Sequence, residues 1–292
     1  HAPHFLRAIG LVVPTVLVAG LGLYHLEQQA TRLVGSAAVG LPLLLLLAAG
    51  LNTANDYSRR WLTHPDLPEQ MELAMNEAAA FAQAATEPDV PLYVTHVTRQ
   101  NPTLLFWAAA LAPRPVNAFD ATECWVHTAV PTLYLLNNTT QPPWETYEIV
   151  NRDATTRLIL AAPDGRSYNP STTASFGGPI HLTLAAPLPQ QVQPGDTLHL
   201  SLAFQADQPP SESYSLFLHL YGVPSPYEGG PIWAQTDSTV CLSHPITAWQ
   251  PFETVTQSFS ITLPGDLPPG DYTLVTGLYQ PATGLRLPLT GP

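Results

Sequence analysis

Thr197-Leu198-His199-Leu200-Ser201-Leu202-Ala203-Phe204 and, a few residues on, Ser213-Tyr214-Ser215-Leu216-Phe217-Leu218-His219-Leu220-Tyr221 are the stretches that decide how this chain folds. In the first, Leu198, Leu200, Leu202 and Phe204 fall at every second position. In the second, Tyr214, Leu216, Leu218 and Leu220 do the same, which leaves Phe217 and Tyr221 on the other face. Period two is the period of a β-strand, whose successive side chains point to opposite faces. Val255, Phe259, Ile261 and Leu263 line up in the same way within Phe252–Leu263, and Tyr272–Tyr279 closes the set. Between these runs stand QPGD at 193–196, LPGD at 263–266 and LPPGD at 267–271. Alternating strands separated by such turns predict an antiparallel β-sandwich of jelly-roll or immunoglobulin-like type over residues 176–292. Proline in these turns presets φ and discourages edge pairing with other chains.

Upstream, residues 61–175 mix helix and strand signals and predict a small extramembrane α/β domain. Pro68–Ala85 is rich in Ala, Glu, Met and Gln and has no glycine, which favours a helix. Pro91–Thr95 reads as a buried strand, and Asn101-Pro102-Thr103 as the entry to a helix over Leu104–Leu111. Val116–Phe119, Thr132–Leu136 and Thr156–Ala161 read as strands, Trp144–Val150 as a helix, and Pro163-Asp164-Gly165 as a turn. No strand is followed by GxGxxG or GxxxxGK[ST], so neither standard nucleotide cradle is supported.

The first 60 residues differ in kind. Ala8–Leu26 and Leu33–Leu51 carry no charged residue, and each approaches the roughly 20 residues a helix needs to cross a bilayer. Only Glu27–Arg32 separates them. The expectation is a transmembrane helical hairpin over 1–60, and hence a multidomain membrane protein. Pro14 and Pro42 do not count against it, because proline is commoner in membrane helices than in soluble ones. The chain begins with His1 rather than Met, and further spans are expected before it.

Composition narrows the function. Of 292 residues, 32 are proline, about double ordinary usage. Beyond residue 60 there are six arginines against twenty acids, a net of −14, and no lysine. That balance excludes nucleic acid as a partner, since phosphate backbones demand a basic surface. Cys124 and Cys241 are the only cysteines. They fall in what read as separate domains, so two isolated thiols are expected rather than a bridge.

Several runs are similar to the C-terminal region of bacterial membrane glycosyltransferases. They are Phe217-Leu218-His219-Leu220, Trp233-Ala234-Gln235-Thr236-Asp237, Pro245 to Trp249-Gln250-Pro251-Phe252-Glu253, Leu267-Pro268-Pro269-Gly270-Asp271-Tyr272-Thr273-Leu274, Gly277-Leu278-Tyr279 and Thr283-Gly284-Leu285-Arg286-Leu287-Pro288. The group they resemble is the family 39, protein-mannosyltransferase-like set with the GT-C fold, and Val90–Phe119 is similar to its post-membrane α/β segment. The resemblance covers roughly residues 60–292. It implies a polyprenyl-phosphate-sugar donor, inverting transfer to an acceptor glycan or protein outside the cytoplasm, a bacterial cell membrane as location and residues 61–292 on the extracytoplasmic side. The family's acidic base lies in a first loop between membrane helices. Here the corresponding stretch offers only Glu27 in a short turn, so no catalytic residue is carried over.

Two functions follow as expectations. One is the non-catalytic end of such a glycosyltransferase, and the other is a membrane-tethered β-sandwich that binds glycans or a partner protein. In both, Tyr221, Trp233, Gln235, Asp237 and Trp249 are the candidate ligand-binding residues, with Tyr227 nearby. The aromatic rings would stack on sugars and the polar side chains would hydrogen-bond. Trp233 and Trp249 fit better as plugs of a sandwich core. No metal or cofactor is expected: the ten histidines make no HxxxH or HExxH, and His199 and His219 read as half-exposed sheet residues. Asp120, Glu123 and His127 fit acid–base work or an ordinary polar loop. No GxSxG elbow occurs.

Overall fold

The structure is a computed structural model that describes residues 5–35, 40–64, 72–144, 147–152, 156–162, 173–177, 179–251 and 253–290. It divides into two compact units, residues 1–71 and 72–292. The Pro68 start of the first expected helix, the turn at 163–165 and Phe252 lie outside the described residues.

The N-terminal unit contains α1 (Phe5–Val34), α2 (Leu41–Asp56) and a π-helical turn, Tyr57–Trp61. It overturns the expected membrane hairpin: among the described residues no helix is long and apolar enough to cross a membrane. Both helices also have other boundaries than expected. Glu27–Arg32, expected to turn the chain, continue α1 as helix. The second helix starts only at Leu41, with Pro42 in its first turn, and ends in Asn52, Asn55 and Asp56. Its 16 residues rise about 24 Å, short of the roughly 30 Å hydrocarbon core.

The second unit is β-rich. Sheet A combines β1 (Leu92–Val94), β2 (Val116–Ala118), β4 (Thr132–Asn137), β5 (Tyr147–Arg152) and β6 (Thr156–Ala161) in the order β2-β1-β4-β6-β5. β1 is parallel to β2 and β4, while β6 is antiparallel to β4 and β5. Helices α3 (Leu73–Ala85) and α4 (Pro102–Ala110) cover one face, where Met75, Ala79, Leu92, Val94, Leu133, Leu135 and Leu158 form a core. Tyr93, Tyr134, Leu136 and Ile159 alternate to the other face and join the larger core. A sheet buried on both faces needs apolar residues at every position, which is why Pro91–Thr95 and Thr132–Leu136 read as unbroken apolar runs. Asn101 caps α4 as expected, its Oδ1 accepting the Leu104 N–H at 3.0 Å. Arg114 is buried and donates to the Ala82 and Thr86 carbonyls at 2.9 and 3.3 Å, satisfying orphan groups at the end of α3.

The helix expected over Trp144–Val150 is overturned among its described residues. Tyr147–Arg152 is edge strand β5, paired to β6 with a bulge between Ile149 and Asn151. Tyr147, Ile149 and Val150 favour a pleated surface, and β6 supplies the backbone partners that local sequence does not reveal.

Two further sheets complete this unit. Sheet B joins β3 (Cys124–Thr128), β12 (Glu253–Thr262), β9 (Thr197–Ala206), β8 (Ile180–Leu184) and β7 (Thr173–Phe176), all antiparallel in that order. Sheet C joins β11 (Ile232–Thr239), β10 (Ser215–Tyr221) and β13 (Thr273–Tyr279). Leu200, Leu202 and Phe204 of β9, Val255, Phe259 and Ile261 of β12, and Leu216, Leu218 and Leu220 of β10 share one core. The arrangement is compatible with the β-sandwich expected from the alternation.

Cys124 and Cys241 are not separate thiols: they form a disulfide, with Cα atoms 5.6 Å apart across 117 residues of sequence. The reason is long-range. β3 leaves the α/β stretch of sequence to become the edge of sheet B against β12, which brings Cys124 to the end of β11.

Candidate functional site

Leu216, Leu218 and Leu220 point into the core, so alternation turns Phe217, His219 and Tyr221 onto the opposite face of sheet C. The neighbouring strands add to that row by register. Phe217 is paired with Asp237 of β11 and Gly277 of β13, and His219 with Gln235 and Val275. Gly277 has a steric reason: a Cβ there would stand 2.7 Å from Phe217 Cζ. The ring therefore lies over the β13 backbone where no other residue leaves room.

Two loops build the rest. After β13 the chain turns at Gln280–Leu285, with Gly284 at φ +71°, and runs back so that Arg286 bridges to Tyr279 and the Leu287 N–H donates to the Leu278 carbonyl at 2.8 Å. That return sets the Arg286 guanidinium 4.3 Å above the Phe217 ring, within cation–π range. A second loop carries Tyr227 in a short 3-10 turn, Pro226–Glu228, closed by a capping box from Ser225 and Glu228. Tyr227 is 78% exposed, meets Tyr221 edge to face at 5.9 Å, and accepts from Arg286 Nη1 at 3.4 Å. Tyr279 donates its hydroxyl to Asp237 Oδ2 at 3.2 Å.

Electrostatics on this face are uneven. Burial, then the Arg286 charge, hold the His219 imidazole below its ordinary range. Burial, then the Asp237 carboxylate, raise the Tyr279 phenol. His219, expected to be half-exposed, is buried beneath these neighbours, whereas His199 is exposed on β9. Phe217 and Tyr221 are likewise nearly covered, whereas Tyr227, Gln235, Asp237 and Arg286 are exposed. The result is one exposed ring, Tyr227, resting on covered aromatic side chains, with an amide, a carboxylate and a guanidinium on the same face.

The sequence candidates separate on this geometry. Tyr221, Gln235 and Asp237 belong to the row. Trp233 is half-buried, packing edge to face on Tyr272 at 6.3 Å and against the core. Trp249 is 1% exposed beside Phe204, and its Nε1 donates to the His244 carbonyl at 2.9 Å. It is a core plug and no ligand reaches it. Phe217, Tyr279 and Arg286 were not among the candidates. The alternation that placed Phe217 opposite the leucines was a usable signal for it, but the hairpin that returns Arg286 was not readable from spacing.

Asp120, Glu123 and His127 serve local structure. Asp120 Oδ1 accepts from Thr122 N and Oγ1, Glu123 Oε2 accepts the Ser243 N–H at 3.0 Å, and buried His127 contacts Thr256 Oγ1 at 3.0 Å. Among the described residues no group of three His, Cys, Asp or Glu could hold a metal ion.

The most buried polar cluster lies elsewhere, where β1 of sheet A meets the 244–253 segment. The Tyr93 hydroxyl donates to Glu253 Oε1, and His244 Nε2 stands 2.8 Å from Glu253 Oε2, which also accepts the Gln250 N–H at 3.0 Å. Tyr93 and His244 are fully buried and Glu253 is 1% exposed. Burial, then the Glu253 charge, push the Tyr93 phenol well above its ordinary value. Sealed from solvent, this cluster is a joint and not a reaction centre.

Neither a family model nor a curated protein nor a solved structure matches this chain.

Proposed function

We propose that residues 72–292 act as a non-catalytic glycan-binding unit, through the outer face of sheet C, in partnership with a glycosyltransferase that uses a polyprenyl-phosphate-linked sugar. The observation that carries this reading is the exposed Tyr227 ring, backed by the covered Phe217 and Tyr221 and the half-buried Tyr279, with Gln235, Asp237 and Arg286 exposed on the same face. Sugar rings have apolar CH faces that pack on aromatic side chains, and their hydroxyls need donors and acceptors such as a guanidinium, an amide and a carboxylate. The runs that resemble the family 39 glycosyltransferases supply β10, β11, β13 and Arg286, the parts from which this face is built. The partnership rests on that resemblance.

The disulfide supports an extracytoplasmic position for this unit, because disulfides persist in oxidising compartments and are rare in the cytosol. The strong excess of acidic over basic residues favours neutral over anionic glycans.

The test is a glycan array probed with the full chain, followed by titration calorimetry on the best ligand. Saturable binding, lowered by roughly tenfold or more in Tyr227→Ala, supports the reading. No retained glycan, or retention unchanged in Tyr227→Ala and Asp237→Ala, overturns it.

A further inference from the structure

The end of the β unit where Trp233 and Tyr272 meet holds a cleft of about 660 Å³, separate from the outer face of sheet C. Its floor is Leu198 of β9, Leu220 of β10 and Leu274 of β13, so it opens directly onto the leucine core shared by sheets B and C. Its walls are two proline-rich loops carrying Pro189 and Pro194 on one side and Pro268 and Pro269 on the other. Proline has a fixed φ and no N–H, so these walls are stiff and present fewer backbone donors. Tyr272 spends its hydroxyl inside the wall, donating to the Pro268 carbonyl at 2.6 Å. Hydrogen-bonding capacity is therefore concentrated in Gln190 and Gln191, both exposed, and the single charged lining residue is Asp271.

The volume falls within the roughly 300–1,000 Å³ of small-molecule sites. A leucine floor without donors or acceptors accepts hydrocarbon and rejects groups that need hydrogen bonds. The exposed amides suit an uncharged polar head, and the lone Asp271 repels an anionic one. Stiff walls mean that little ordering is needed when a ligand enters. We propose that this cleft binds the single aliphatic chain of an uncharged amphiphile, chain end toward Leu220 and head toward Gln190 and Gln191. The site is independent of the glycan-binding reading.

The test titrates the full chain with monodecanoylglycerol below its aggregation concentration, with decanoate as the anionic counterpart, by calorimetry. Saturable one-to-one binding is expected, with decanoate weaker by about fivefold or more. Val192, 38% exposed on the cleft rim, tolerates a charge without disturbing the core. Val192→Asp lowers affinity by roughly tenfold or more, and Leu274→Trp, which fills the floor, abolishes binding. Tyr227→Ala leaves it unchanged, which separates this site from the glycan face. Absent or non-saturable binding, decanoate binding as tightly as the neutral ligand, or a folded Val192→Asp protein that binds normally overturns the proposal.

Discussion

Tyr93, His244 and Glu253 at the buried joint, and Tyr221, His219 and Asp237 on the outer face of sheet C, use the same three kinds of side chain for opposite ends. At the joint every member is nearly or fully buried, and the carboxylate accepts from a phenol, an imidazole and a backbone N–H. Such a buried network links elements distant in sequence, and its cost if broken is high. On sheet C the row is roofed by Arg286 and Tyr227 rather than sealed, and Gln235 and Asp237 stay at the surface. Residue type therefore does not decide between a structural and a binding role. Remaining exposure and unspent hydrogen-bonding capacity do.

The contrast breaks most visibly at Glu253. Glu253→Ala leaves Tyr93 and His244 buried without their shared acceptor, and the expected loss is about 3–5 kcal/mol in urea unfolding. A loss under 1 kcal/mol would remove the joint from the account of stability. Next in size is the disulfide, which closes a long loop: the double change Cys124→Ser and Cys241→Ser is expected to cost about 2–5 kcal/mol. Wild-type protein unfolded with and without a thiol reductant gives the same comparison.

Tyr93→Phe keeps the ring and deletes one hydrogen bond to a carboxylate, for an expected loss of about 1.5–3 kcal/mol near neutral pH. Its pH dependence is more diagnostic. The folded phenol lies above its ordinary value, so the unfolded chain releases this proton first as pH rises past about 10. Stability from this group is whole below that point and is lost as pH climbs toward the higher folded value. Wild type should show that alkaline decline and Tyr93→Phe a shallower one; identical alkaline limbs would argue against it.

The other side of the contrast predicts smaller effects on stability and larger ones on binding. Gly277→Ala forces Phe217 to move and is expected to cost about 1–3 kcal/mol while weakening glycan binding. Asp237→Ala, at an exposed position, should leave stability within about 0.5 kcal/mol yet reduce glycan affinity. An Asp237→Ala protein as unstable as the Tyr93 variant would make the sheet C face structural and erase the distinction between the two regions.

Legibility followed the range of the interactions. Alternation in Thr197–Phe204 and Ser213–Tyr221 marked β9 and β10, and the same alternation set Phe217 and Tyr221 apart from the leucines. The Asn101 cap marked α4 because a capping side chain bonds within its own turn. The hairpin reading failed because apolar composition did not show that Glu27–Arg32 would continue α1 as helix or that the second helix would start only at Leu41. Trp144–Val150 was read as a helix, but Tyr147 onward is strand because β6, not the segment itself, supplies its hydrogen bonds. Cys124 and Cys241 were read apart because sequence distance was taken for spatial distance.

By itself, then, the sequence determined the periods, the turns and the faces, since steric preferences and alternation act over a few residues. It also determined the acidic balance, six arginines against twenty acids beyond residue 60. Only the tertiary structure decided that β3 crosses to sheet B, that Cys124 meets Cys241, that Tyr93 finds Glu253 160 residues away and that Arg286 folds back over Phe217. Each of these depends on closing a long loop, and the contacts that offset its entropy are made by surfaces that exist only once the sheets have assembled.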